Sequence, residues 1–176
     1  LAKVYDLLKG IIVGVWIVRK NKIIIVHARG YPPAFIAVML KKIFSLKFIF
    51  DVRGLWADEK VEAGAWSKNG FLYKITKYLE KIFFLNADEI VVLTKEAKQI
   101  IETFPYYKFN PVEINIIPTC VDLKQFSIIG KTCNQSQEKF VLVYFGSLGS
   151  WYMLDEMVDF FKILQQINLK TFFSLF

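Results

Sequence analysis

Histidine and cysteine are scarce in this sequence of 176 residues: there is one histidine, His27, and two cysteines, Cys120 and Cys133. With no close cysteine pair, they make neither a zinc pattern nor a disulfide framework. No metal is expected, both thiols read as reduced and structural, and the cytosol is the default compartment. A long hydrophobic run is missing too. The most apolar early stretch, GIIVGVWIV from Gly10 to Val18, is too short to span a bilayer and runs straight into Arg19, Lys20 and Lys22. It reads as part of a buried helix, with peripheral contact at a membrane left open. No signal peptide is read, and a chain that starts at Leu1 is expected to lack its true N-terminus. There is no internal repeat, no block of like charge, no G-x-G-x-x-G and no Walker loop.

What is present is apolar and basic. Hydrophobic residues make up 55% of the chain and 17 are Phe. That is ample for a packed core and argues against disorder. Lys and Arg number 23 against 16 Asp and Glu, a net charge of +7. The excess favours anionic partners: phosphates, nucleotides, nucleic acid or an acidic membrane surface. It does not choose among them, and solubility alone would also account for it.

Strand and helix patterns alternate. Residues 1–19 read as a helix that Gly10 and Gly14 weaken. The β-branched run around Ile23–Val26 suits a strand buried on both faces. Pro32 and Pro33 then open a helix to about Phe44. KFIFDV is a second strand. Apolar residues at 71, 72, 75, 78, 79, 82 and 83 have helical spacing. Glu89–Leu93 is a third strand, Thr94 an N-cap for a helix to about Phe104, and VEINIIP a fourth strand. This order predicts an α/β fold with a Rossmann-like, doubly wound parallel sheet. The polar stretch GKTCNQSQEK, residues 130–139, reads as a linker between a first domain (1–129, incomplete at its N-terminus) and the start of a second (140–176). The second holds a strand, FVLVYFG, a helix from about Leu154 to Gln165, and the beginning of another strand.

Ligands of open α/β sheets bind at the carboxyl ends of the strands. His27 and Arg29 end the first strand, Asp51 and Arg53 the second, Thr94 and Lys95 the third. After the second strand the chain turns charged, with Asp58, Glu59, Lys60 and Glu62 between Trp56 and Trp66. Aromatics beside charges suit a sugar or nucleotide. Each residue also has a plain role open to it: a hydrogen-bonded structural His27, an Asp51 paired with its neighbours, a solvated loop. In YFGSLGSWYM, Gly146, Ser147 and Gly149 precede a helix, an arrangement that lets backbone N–H groups approach a phosphate or simply makes a tight turn.

Two stretches, NADEIVVLTKEAKQII and INIIPTCVDLKQF, carry a family resemblance. A strand after Ala87-Asp88 leads to Thr94 and a helix. A later strand runs into Ile117-Pro118-Thr119-Cys120-Val121-Asp122, closed by Phe126. Tyr144-Phe145-Gly146-Ser147 follows as a strand ending in a glycine turn. Over about residues 22 to 165 this resembles the family 4 glycosyltransferases of the GT-B fold, with Thr119-Cys120 where Asn-Gly is usual and Arg53 in the place of a histidine. Gly146-Ser147 stands where many members have Gly-Arg. The family's glycine-rich first loop and the rest of its donor domain are not in the sequence. The resemblance implies retaining transfer of a sugar from a nucleotide-sugar donor to an acceptor hydroxyl, in glycan or polysaccharide biosynthesis. It implies no required metal and no nucleic acid. Asp51, Arg53 and Glu59 would carry the chemistry and position the acceptor; His27, Arg29, Trp56 and Lys60 would bind a sugar or lipid-linked acceptor. Gly146, Ser147 and Gly149 would sit by the donor. Location would be cytoplasmic, with peripheral contact at an anionic membrane. Two other readings stay open: a truncated, non-catalytic remnant or binding module, and a sugar-nucleotide epimerase of the same architecture.

Overall fold

The strand–helix alternation folds into a four-stranded parallel sheet in the order β1-β2-β3-β4, flanked by helices. The computed structural model describes residues 2–109, 111–126, 140–146, 152–167 and 171–175. The chain divides into two compact units, Leu1–Cys120 and Val121–Phe176. The first contains α1 (Ala2–Asn21), β1 (Ile25–Arg29), α2 (Tyr31–Phe44), β2 (Lys47–Val52), α3 (Trp56–Glu62), α4 (Phe71–Asn86), β3 (Glu89–Val92), α5 (Lys95–Glu102), α6 (Pro105–Phe109) and β4 (Ile114–Ile116). Its architecture is the Rossmann-like α/β fold expected from the sequence.

Side chains alternate across a strand, and here the two faces of the sheet differ sharply. Val26, Ala28, Phe48, Phe50, Val52, Ile90, Val92 and Ile114 point to one face and join the core with α2, α4 and α5. Phe50 packs edge-on against Phe83 and Phe84, with ring centroids 5.7 and 5.3 Å away. Each such phenyl group contributes about 1.5–3 kcal/mol by leaving water. The opposite face carries Ile25, His27, Arg29, Ile49 and Asp51. Half of Ile25 remains exposed, so β1 is not buried on both faces among the described residues. Its β-branched composition reflects strand preference more than double burial.

Helix α1 forms in spite of its two glycines because they meet its neighbour. A Cβ at Gly10 would lie 2.6 Å from Ile36 Cδ1, and one at Gly14 would lie 2.9 Å from Leu40 Cδ1. The propensity cost of about 1 kcal/mol per glycine is thus exchanged for close approach of α1 to α2. Gly30, at φ 80°, turns the chain from β1 into α2, and its N–H donates to Asp51 O at 3.0 Å. Thr94 caps α5 as expected, its Oγ1 accepting from Ala97 N–H at 3.1 Å.

Two short helices, α3 and α6, fall between the strands and helices expected from the sequence. In α4 the buried positions are Thr76, Glu80, Phe83 and Phe84. Phe71, Leu72, Ile75 and Tyr78, which share its apolar spacing, are exposed. The unit Val121–Phe176 contains β5 (Phe140–Tyr144), α7 (Leu154–Ile167) and β6 (Thr171–Leu175), with β5 parallel to β6. Phe161 of α7 stacks on Phe173 of β6 at 5.2 Å. Residues 130–139, read as a linker, lie outside the described residues.

Candidate functional site

The residues singled out at the ends of β1 and β2 separate into two cavities, while Thr94 and Lys95, after β3, line neither. The first, of about 480 Å³, is lined by His27, Arg29, Ile49 and Asp51 together with Leu93 and residues 117–120. These belong to the open face of the sheet, where the register sets Arg29 opposite Asp51. Asp51 is buried, and its Oδ2 lies 3.4 Å from His27 Nε2 and 3.5 Å from Arg29 Nε. Both partners are half exposed. Asp51 therefore pairs across β1 and β2, and not with Arg53.

The second cavity, of about 500 Å³, is lined by Gly30, Tyr31, Pro32, Arg53, Gly54, Trp56 and Glu59. It sits at the carboxyl ends of β1 and β2, where open α/β sheets take ligands. Arg53 and Glu59 bring opposite charges to it. Trp56 is 38% exposed and meets Trp66 edge-on at 5.2 Å and Tyr31 at 5.8 Å. Gly54 is part of the design, since a Cβ there would lie 1.9 Å from Glu59 Oε1. The first turn of α2 contributes little as an anion cradle. Pro32 and Pro33 lack N–H groups, and the Gly30 N–H is already used. Lys60 does not line either cavity. Its carbonyl receives the N–H groups of Ala65 and Trp66, each at 3.0 Å, closing the turn after α3.

A buried ionic network fixes the helix that carries Trp56 and Glu59. Glu80 of α4 is fully buried. It accepts hydrogen bonds from the Tyr31 hydroxyl, from Lys77 Nζ at 2.5 Å and from the Tyr106 hydroxyl at 2.9 Å. Lys77 also donates to Asp58 of α3 at 2.9 Å, and the Tyr73 hydroxyl donates to the same carboxylate at 2.8 Å. Burial and the neighbouring Glu80 charge push the Tyr31 and Tyr106 hydroxyls far above the ordinary tyrosine range. For Lys77, burial works against the ammonium, but its bonds to Glu80 and Asp58 outweigh it and hold the group above its usual value. Asp58, one of the charges after the second strand, is thus structural.

Of the sequence-predicted residues, then, Arg53, Trp56 and Glu59 share one cavity and His27, Arg29 and Asp51 share the other. Gly146 is exposed just beyond β5, where a Cβ would lie 2.8 Å from the Tyr144 hydroxyl; Ser147 and Gly149 lie outside the described residues. Cys120 is an exposed free thiol, and Cys133 also lies outside them. Tyr31 and Gly30 were not singled out, although the Gly-Tyr-Pro-Pro run after a strand marks a helix start at the ligand-binding edge. Among the described residues no helix is long and apolar enough to cross a membrane, and no three His, Cys, Asp or Glu side chains are grouped as for a metal.

A parallel α/β sheet with a charged, aromatic cavity at its carboxyl edge has the layout in which open α/β proteins take their ligands. The sequence profile of Glycosyltransferase Family 4 matches residues 8–125. The chain belongs to that family. No curated protein matches the sequence.

Proposed function

We propose that the cavity of Arg53, Trp56 and Glu59 is the acceptor site of a retaining glycosyltransferase that takes its sugar from a nucleotide-sugar donor, in glycan or polysaccharide biosynthesis. One observation carries this reading: a cation, a carboxylate and an exposed indole face one cavity at the carboxyl ends of β1 and β2. The indole suits the C–H face of a sugar ring. The Arg53 fork donates to ring or hydroxyl oxygens, and Glu59 accepts from acceptor hydroxyls. Asp51, held by His27 and Arg29, is assigned to orient the reacting groups from the adjoining cavity. The donor is assigned to the unit Val121–Phe176, with Gly146, Ser147 and Gly149 near its diphosphate, and no metal is required. The protein would work in the cytoplasm, touching anionic membrane at its surface.

The test is nucleotide release from a panel of nucleotide-sugar donors, with and without Arg53. Arg53→Ala should lower turnover about 100-fold or more, the scale on which removal of one preorganised donor acts. Near-normal kinetics would remove Arg53 from the site.

A further inference from the structure

A third cavity, of about 540 Å³, adjoins the acceptor cavity and is different in kind. Leu7 of α1, Pro33, Phe35 and Ile36 of α2, and Leu79 and Phe83 of α4 make its walls. Asp6 and Thr76 are its polar exceptions, and Thr76 is itself buried. It shares Tyr31, Pro32 and Trp56 with the acceptor cavity. One side of these three residues therefore faces Arg53 and Glu59, and the other faces an apolar groove. The stripe of α4 that lines the groove continues to Leu72, one turn before Thr76, and Leu72 is 55% exposed.

An apolar groove of this size beside a polar site marks a place for apolar surface of a ligand. Two joined compartments of opposite character call for one ligand of the same build. We propose that the acceptor is amphipathic, its sugar or hydroxyl head held by Arg53, Trp56 and Glu59 and its alkyl or isoprenyl tail lying in the groove between α1, α2 and α4. The proposal rests on the reading of the Arg53 cavity as the acceptor site. The continuity through Tyr31, Pro32 and Trp56 favours a tail attached to that head over a second protein chain or a flat bilayer.

The experiment is binding of methyl, hexyl and octyl glucoside, each below its micellar concentration, followed by tryptophan fluorescence or calorimetry. Affinity should rise with chain length, by up to about fourfold per methylene that leaves water. Leu7→Glu, on the half-buried α1 wall of the groove, should remove that dependence; Leu7→Ala, which leaves no charge there, should reduce it. Arg53→Ala should weaken all three glucosides by a similar factor. Equal affinity for all three would overturn the tail assignment. So would a chain-length dependence that both Leu7 variants keep, including one that arises from docking on phosphatidylglycerol vesicles or from association of two copies. If Leu7→Glu removes the dependence while Arg53→Ala changes nothing, the groove stands and the acceptor reading of the Arg53 cavity falls.

Discussion

Replacing Glu80 by leucine tests the network that anchors α3. The side chain is fully buried and accepts from two tyrosine hydroxyls and from Lys77. Leucine fills the volume but accepts nothing. The Tyr31 and Tyr106 hydroxyls would each lose a partner, at about 1–3 kcal/mol apiece where water cannot replace it. Lys77 would keep Asp58 at 2.9 Å but sit in a site built for two carboxylates. Removing one member of a buried ion pair costs about 3–5 kcal/mol, and that is the loss expected. Glu80→Gln keeps an acceptor oxygen and should cost distinctly less. Urea unfolding read by tryptophan fluorescence is the assay, because Trp16, Trp56 and Trp66 all lie within Leu1–Cys120. A Glu80→Leu protein with a midpoint at or above the parent's, at an unchanged slope, would refute the reasoning.

Two further perturbations separate stability from function. Asp88 accepts from Lys41 at 2.5 Å, from Phe48 N–H at 2.8 Å and from Lys47 at 3.2 Å. Burial alone would raise its carboxyl, but these bonds outweigh it and hold the group below the ordinary carboxylate range. A depressed folded value means stability that is present at neutral pH and lost as pH falls through that value. Asp88→Asn should therefore cost about 1 kcal/mol near neutrality, after discounting for exposure, and the gap should close in acid; a gap that stays constant with pH would contradict this. Gly54→Ala drives a Cβ into Glu59 Oε1, a flexible side-chain end, so stability should change by less than about 0.5 kcal/mol while acceptor affinity falls. Unaltered acceptor kinetics would show that the carboxylate position is immaterial.

The sheet was legible because its strands are short apolar runs set between helices, a pattern that survives without any knowledge of contacts. Thr94 was legible as a cap because a cap is local. Helix α3 was not, since seven residues with Ala57 alone buried carry no apolar stripe to read. The apolar spacing of α4 ran from Phe71 to Phe83 and caught the buried Phe83, but it also took in Leu72 and Ile75, which are exposed, and passed over Glu80 because a glutamate reads as solvent-facing. Its position three residues before Phe83 and four after Thr76 was the available signal. Its partners Tyr31 and Tyr106 stand 49 and 26 residues away, beyond any local pattern. The division of the strand-end charges into two cavities was likewise hidden, because nothing in FIFDVRG says how the chain leaves the strand to enter α3.

The alternation of β1 and β2 also limits how this site can change. His27, Arg29 and Asp51 look out because Ala28, Phe48 and Phe50 look in. A single residue gained or lost within β2 would reverse that assignment, turning a carboxylate into the aromatic core and two phenyl rings toward solvent, and one within β1 would turn His27 and Arg29 inward. Two residues would restore the facing but slide the charges along the strand by about 6–7 Å. The charges at this edge can therefore be exchanged by substitution, residue for residue. Length changes are confined to the connections, such as the turn between α3 and α4, which no strand register governs.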